Sequence, residues 1–252
     1  MSNHQRGIQT VELAGEILKL VCSSPQALSL SEIAETMQLA PGSAYKYLLS
    51  LLRTGLLKRN ENTLAFEAGP LSLRLGLSKI HHDTILQYAR QALTELADQY
   101  HLNVFAAMWS NQNGPTVVFY KQAGGFFHIG FRLGIRLSLN GTASGRIFAA
   151  YMPAAPLHHY VEQLDPDQQQ HFEHAEFQQQ LTQIRTDGYS YLMGTPTPGI
   201  SSFSVPVFDR TGQFMMAITA FHKSEMMNAE IETALIQDLQ RIAAALKELQ
   251  HG

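Results

Sequence analysis

The sequence predicts an α+β protein built in two parts, and three observations lead there. Residues 7–68 read as three amphipathic helices and a short hairpin. From about Val104 strand-like runs and helices alternate, with hairpins at both ends of the region, which describes helices packed on an antiparallel sheet. The chain has 252 residues, more than the roughly 100–200 of one domain, and its 45% hydrophobic content can fill two cores. The expected division is a helical domain over 1–68, a linker helix over 69–82 and a sheet domain over 83–252.

Composition narrows the function. A charged fraction of 15% and a net charge of −3 exclude a wholesale basic binder of nucleic acid, though not one basic patch. Residues 1–80 hold eight bases against six acids, and the remainder ten against fifteen, so one mildly basic end sits on an acidic body. The single cysteine, Cys22, can form neither an internal disulfide nor a multi-cysteine metal site, which fits a reducing compartment. There is no apolar run of about 18 residues to span a membrane. The polar start, Met1 to Gly7, lacks the core of a signal peptide. A soluble cytoplasmic protein with no membrane partner is expected.

In the first part, Thr10 is placed to cap a helix whose inward set is Ala14, Ile17, Leu18 and Val21, with Cys22 also turned inward; Ser23-Ser24-Pro25 ends it. Ser29 and Glu32 form a capping box for a short helix carrying Ile33, Ala34 and Met37 to about Leu39. After Ala40-Pro41-Gly42 a third helix runs from Ser43 to Thr54, with Ala44, Leu48, Leu51 and Leu52 inward and Gly55 as a left-handed stop. Leu56–Arg59 and Thr63–Phe66 read as strands around Asn60-Glu61-Asn62. This is the layout of a winged helix-turn-helix. Its third helix would offer Ser43, Tyr45, Lys46 and Tyr47 to the major groove of double-stranded DNA, while Arg53, Lys58 and Arg59 hold phosphates. The same pattern also describes a three-helix packing module, or a helix-turn-helix kept for protein contacts.

In the second part, Pro70 starts the linker helix and Asp83 caps the next, with Leu86, Ala89, Leu93, Leu96 and Tyr100 inward. Strands are expected at Val104–Trp109, Thr116–Gln122 and Phe126–Phe131, the first two joined through Asn111–Gly114. Helices follow at Ser144–Tyr151, Leu157–Leu164 and Gln168–Thr186, the last closed by Gly188. Strands return at Tyr189–Met193, Ser202–Phe208 and Gln213–Phe221, and a terminal helix spans Asn228–Gln250. Adjacent histidines at 81–82 and 158–159 diverge by about 100° on a helix and suit one metal ion poorly. His171 and His174 share a helix face, but no third ligand is fixed. No metal or cofactor is expected.

Gly141-Thr142-Ala143 opens a helix with small residues, exposing amides that suit a carboxylate or phosphate; a tight packing turn is the other reading. It is not a P-loop, since no Gly-Lys-Ser/Thr follows. Ser144 lies outside any G-x-S-x-G elbow and no acid–base pair is placed by spacing, so catalysis is not expected.

Three strings in the first part, Leu28–Ala34 (LSLSEIA), Ala40–Leu49 (APGSAYKYLL) and Gly69–Gly76 (GPLSLRLG), resemble the DNA-binding domain of the IclR family of bacterial transcription regulators. In the second part Leu139–Arg146, Asp187-Gly188-Tyr189-Ser190 and Gly199–Val207 resemble its effector domain, so the resemblance covers residues 7–250. It implies a winged helix-turn-helix joined by a helix to a GAF/profilin-like effector-binding domain, an operator DNA as partner, and a homodimer or tetramer. It also implies a small-molecule effector contacting Met108, Gly141, Thr142, Ala143, Leu192, Ser202, Ser204, Thr219 and Phe221. The chain departs from its relatives at Gly42, where most carry Lys, at Tyr47, where most carry Arg, and in a wing without Gly-x-Tyr. Leu192-Met193 replaces the acidic pair of relatives that sense strongly polar acids. Apolar walls with a hydroxyl rim suit a small organic acid, aromatic acids included. The expected function is a ligand-responsive repressor or dual regulator of a catabolic operon. The alternative, kept open by Gly42 and Tyr47, is a ligand-binding sensor or scaffold with a vestigial DNA-binding helix.

Overall fold

The apolar stripe of residues 14–21 becomes the inner face of α1 (Gln9–Ser23), where Ile17 and Val21 are buried. In the computed structural model, which describes residues 7–24, 26–110, 114–123 and 132–249, the chain divides into two units, one ending at His82 and one beginning at Asp83. The strand expected at Phe126–Phe131, most of the Asn111–Gly114 turn and the side chains of His81 and His82 lie outside the described residues.

The first unit continues with α2 (Leu30–Thr36), α3 (Pro41–Thr54), the two-stranded pair β1 (Leu57–Arg59) and β2 (Phe66–Ala68), and α4 (Pro70–His82). Its core is Ile17, Val21, Ile33, Leu48, Leu51, Leu57 and Phe66. The capping box forms: Glu32 N donates to Ser29 Oγ at 3.2 Å and Ser29 N to Glu32 Oε2 at 2.7 Å. These bonds hold the Glu32 carboxyl below the usual carboxylate range, because they favour its charged form. Gly55 takes φ +76 and closes α3, a conformation that costs a residue with a Cβ.

Four expectations need correction. Thr10 lies inside the first turn of α1, whose N-cap is Ile8. Cys22 is exposed, since it stands one residue past Val21 and so about 100° round the helix from the core. The third helix starts two residues earlier than Ser43, because Pro41 fits its first position. The second wing strand is shifted from 63–66 to 66–68, because Asn60 organises a loop. Its Oδ1 accepts from the amides of Asn62 (3.0 Å) and Thr63 (3.1 Å), and its carbonyl from Leu64, which is left-handed at φ +59.

The second unit comprises α5 (Thr84–Tyr100), β3 (Asn103–Ser110), β4 (Gly114–Lys121), α6 (Ala143–Tyr151), α7 (Ala154–Val161), α8 (Pro166–Glu173), α9 (Ala175–Asp187), β5 (Ser190–Met193), β6 (Ile200–Phe208), β7 (Phe214–Lys223) and α10 (Ala229–Glu248). The helix expected over 168–186 is broken at His174, whose ψ of 133° is extended; Gln178 Nε2 reaches back to the Phe172 carbonyl at 2.6 Å across the break. His171 and His174 therefore do not share a helix face.

The five strands form one antiparallel sheet in the order β4-β3-β7-β6-β5. Alternation along the strands sends Phe105, Ala107, Ala217 and Phe221 into one core with α6, α7 and α9. Their neighbours Val104, Ala106, Ile218 and Ala220 are buried on the other face, against which α5 and α10 pack.

Candidate nucleic-acid interface and ligand cavity

On α3, Ala44, Leu48 and Leu51 are buried while Ser43, Tyr45 and Lys46 are exposed, so periodicity alone separates core from outer face. Tyr47 is half-buried and packs against the core, which removes it from the outward group. Arg53 is exposed in the last turn. Lys46 and Arg53 make no ion pair among the described residues. The wing cations differ. Lys58 Nζ pairs with Glu67 at 3.0 Å across the hairpin. Arg59 donates Nε to the Leu64 carbonyl at 2.8 Å and lies over the Phe66 ring at 5.7 Å. Arg59 thus fastens the wing loop, a role that the sequence did not suggest. A Cβ built at Gly42 meets nothing within 4 Å, so the outer face of the helix start is open.

In the second unit a cavity of about 70 Å³ lies where the start of α6 faces β3, β6 and β7. Its polar lining is Thr142, Ser144, Ser202 and Thr219; its apolar walls are Phe105, Leu137, Ile200 and Phe221; the loop Thr195-Pro196-Thr197 closes one side. None of these lining residues carries a charge. Register explains the grouping. Asn103, Phe221, Ser202 and Leu192 form one cross-strand row, and Phe105, Thr219, Ser204 and Ser190 the next, on the same face.

Of the expected effector contacts, Thr142, Ala143, Ser202, Thr219 and Phe221 line the cavity. Leu192 lies at the far end of its row, on the edge strand β5. Ser204 is fully buried beside Thr219, with the two hydroxyls 2.8 Å apart. Met108 pairs with Met216 and alternates onto the face opposite Phe105, so it does not reach the cavity. Phe105, Leu137, Ser144, Ile200 and the Thr195–Thr197 loop were missed, because the cross-strand register and the loop path that bring them together carry no local sequence signal.

The Gly141-Thr142-Ala143 turn is tightly packed, as one of its two readings expected. The Gly141 amide donates to Ser138 Oγ at 3.1 Å, and Thr142 Oγ1 caps α6 by accepting from Gly145 N at 2.9 Å while donating to the Ser138 carbonyl at 2.8 Å. A Cβ at Gly145 would collide with the Ser138 carbonyl, so this close approach requires glycine. The amides of Ala143 and Ser144 remain without a hydrogen-bond partner among the described residues, at the positive end of α6. Arg146 braces the turn from outside the cavity. Its Nε donates to the Asn140 carbonyl (2.9 Å) and Nη1 to Gln180 Oε1 (3.1 Å), and burial pushes its pKa down.

Comparison with known proteins agrees with this two-part arrangement. Residues 10–61 match the IclR helix-turn-helix domain, and residues 77–248 match the bacterial transcriptional regulator IclR C-terminal domain. The chain is 26% identical over 251 residues to the HTH-type transcriptional regulator BhcR of Paracoccus denitrificans, covering 98% of this chain and 88% of that protein. Among solved structures, an IclR transcriptional regulator from Alicyclobacillus acidocaldarius superposes with a TM-score of 0.80 at 20% identity, over 96% of this chain and 99% of the other. An IclR homolog from Microbacterium hydrocarbonoxydans, complexed with 4-hydroxybenzoate, gives a TM-score of 0.76 at 15% identity, over 95% and 98%. With both family domains matched in order along most of its length, the chain belongs to the IclR family of bacterial transcriptional regulators.

Proposed function

We propose that this regulator binds an operator through α3 and releases or re-seats it when a small organic acid enters the α6 cavity. The observation that carries the reading is the combination, in one chain, of an outward face whose Lys46 has no ion pair among the described residues and a cavity with a charge-free lining at the start of a helix. Ser43, Tyr45 and Lys46 read base edges, while Arg53, Lys58 and Arg59 meet phosphates, with Lys58 first leaving Glu67. With so few free cations per head, affinity rests on avidity between two or four heads in a homo-oligomer. The ligand shifts the DNA-competent population only by its differential affinity for the two states. The targets are catabolic genes under repression or dual control, and the cavity selects an acid with an apolar body. At about 70 Å³ it admits a short chain directly; an aromatic acid requires the Thr195–Thr197 loop to move outward.

DNA from both flanks of the gene, immobilised and probed at low salt, tests the first half. The wild-type chain is retained and Lys46→Ala is not. Absence of retention for every fragment favours the sensor or scaffold reading. A thermal-shift screen of short hydroxy-acids, keto-acids and aromatic acids tests the second half. Stabilisation by the short polar acids alone overturns the apolar-bodied ligand.

A further inference from the structure

Among the described residues, three that are not glycine hold a left-handed backbone: Gln38 at φ +52, Leu64 at φ +59 and His101 at φ +54. Two of them end helices, where that conformation is common. Gln38 follows the C-cap of α2, and His101 caps α5. Leu64 ends no helix. It lies in the wing loop between β1 and β2, 54% exposed, and is not among the apolar residues packed on the core of the first unit. A leucine is strained in this conformation, because its Cβ crowds the following carbonyl oxygen. Hydrogen bonds hold it there nonetheless. Its amide donates to the Asn60 carbonyl at 2.9 Å, its own carbonyl accepts from Arg59 Nε at 2.8 Å, and Asn60 N donates to the Ala65 carbonyl at 2.8 Å. Fixing a large apolar side chain in water, in a strained backbone, gives the fold nothing.

We infer that Leu64 is an apolar wedge: it enters the minor groove beside the major-groove face read by α3, pries apart one base step and bends the operator. This rests on the chain binding DNA through α3. β1 follows α3 after Gly55 and Leu56 and packs against it, so the wing lies alongside the helix. Exposed cations, Arg53 in the last turn of α3 and Arg59 on β1, stand in the chain between the recognition face and the loop. That order matches DNA, where a phosphate strand separates the two grooves. Beyond these cations, Leu64 is the one apolar side chain of residues 60–64. Arg59 commits Nε to the Leu64 carbonyl, and its Nη atoms have no partner among the described residues. One residue thus sets the wedge and reaches a phosphate. Glu61, exposed earlier in the loop, keeps that side of the wing off the phosphates. A leucine makes no hydrogen bond to a base edge. It selects pyrimidine–purine steps, which unstack and kink most easily, so at this position the operator is chosen by its deformability.

The full chain and the flanking fragment that it retains test this. Leu64→Asn keeps a residue that tolerates the left-handed backbone but removes the apolar side chain. It weakens binding about fivefold or more in fluorescence anisotropy and reduces the bend read by energy transfer between the fragment's ends. Leu64→Met keeps an apolar wedge and holds affinity within about twofold of wild type, with the bend intact. The melting temperature of Leu64→Asn stays level or rises by about 1–4 °C, because strain and an exposed apolar group are gone. Replacing the step that 2-aminopurine fluorescence shows to unstack by the stiffer AA weakens the wild type several-fold and Leu64→Asn not at all. If Leu64→Asn binds and bends the fragment as wild type does, operator recognition by α3 stands and the wedge is overturned. A clear fall in its melting temperature, or a changed oligomeric state in ultracentrifugation, makes Leu64 a packing or subunit-contact residue and overturns the wedge as well. If the wild type retains no fragment, the operator reading itself falls, and the wedge with it.

Discussion

The two units treat their working groups differently: the first exposes them and the second buries them. On α3 the groups proposed for recognition, Ser43, Tyr45 and Lys46, point outward from a packed helix. On α6 the groups proposed for ligand binding are buried, and Ser144 is held without a partner. An exposed group satisfies itself with water and is free in energy until its partner arrives. A buried one carries a penalty until a partner meets it. The outward site can therefore be altered with little effect on stability, whereas the inward site couples stability to binding.

The largest effect that would sharpen this contrast is on α3 itself. Leu48→Ala, at a fully buried position, is expected to destabilise the first unit by about 2–5 kcal/mol, read as a lowered melting transition. Lys46→Ala, two residues away, should change stability by no more than about 0.5 kcal/mol while weakening operator binding by about 1–3 kcal/mol in fluorescence anisotropy. Loss of stability in Lys46→Ala comparable to that in Leu48→Ala would break the comparison.

Gly42→Lys tests the open space at the start of α3. Binding should tighten several-fold, with a salt dependence steeper by about one phosphate contact per head, outweighing a helix-end penalty of about 0.3–1 kcal/mol. Unchanged affinity and slope would show that this face does not approach the backbone of DNA.

Ser29→Ala removes one half of the capping box and is expected to cost about 1 kcal/mol. The pH dependence follows from the Glu32 carboxyl, which Ser29 holds below its ordinary range. Its contribution is complete above the ordinary glutamate pKa and is lost as pH falls through the lowered value. Unfolding profiles should therefore lose part of their acid limb in Ser29→Ala, and an unchanged limb would remove Glu32 from the account. The smallest effect concerns Cys22, which should react with a maleimide under native conditions at the rate of a free thiol, without any change in stability.

Much of the first unit was legible because its signals are local. A capping box, a proline at a helix start, a glycine stop and a 3.6-residue period each act within one turn, and each appears where the residues put it. The misreadings there are local competitions as well: Asn60 draws nearby amides into a loop, and Tyr47 finds room against the core. In the second unit most strands and helices of the described residues were legible, apart from the break at His174, but the cavity was only half so. Thr142, Ala143, Ser202, Thr219 and Phe221 line it, whereas Met108 faces away and Ser144, Phe105 and Leu137 were unforeseen.

By itself the sequence determined the two-part α+β order, the outward face of α3, the division of charge between the two ends, and the small-residue turn opening α6. Periodicity, capping and composition carry those properties over a few residues at a time. Only the tertiary structure decided which hydroxyls converge, which wing cations are already engaged, and which buried group lacks a partner. Those depend on strand register, on a hairpin pairing Lys58 with Glu67, and on α6 closing over the sheet. Each is a contact between residues far apart in the chain or across a turn, and its energy exists only once the fold has brought them together.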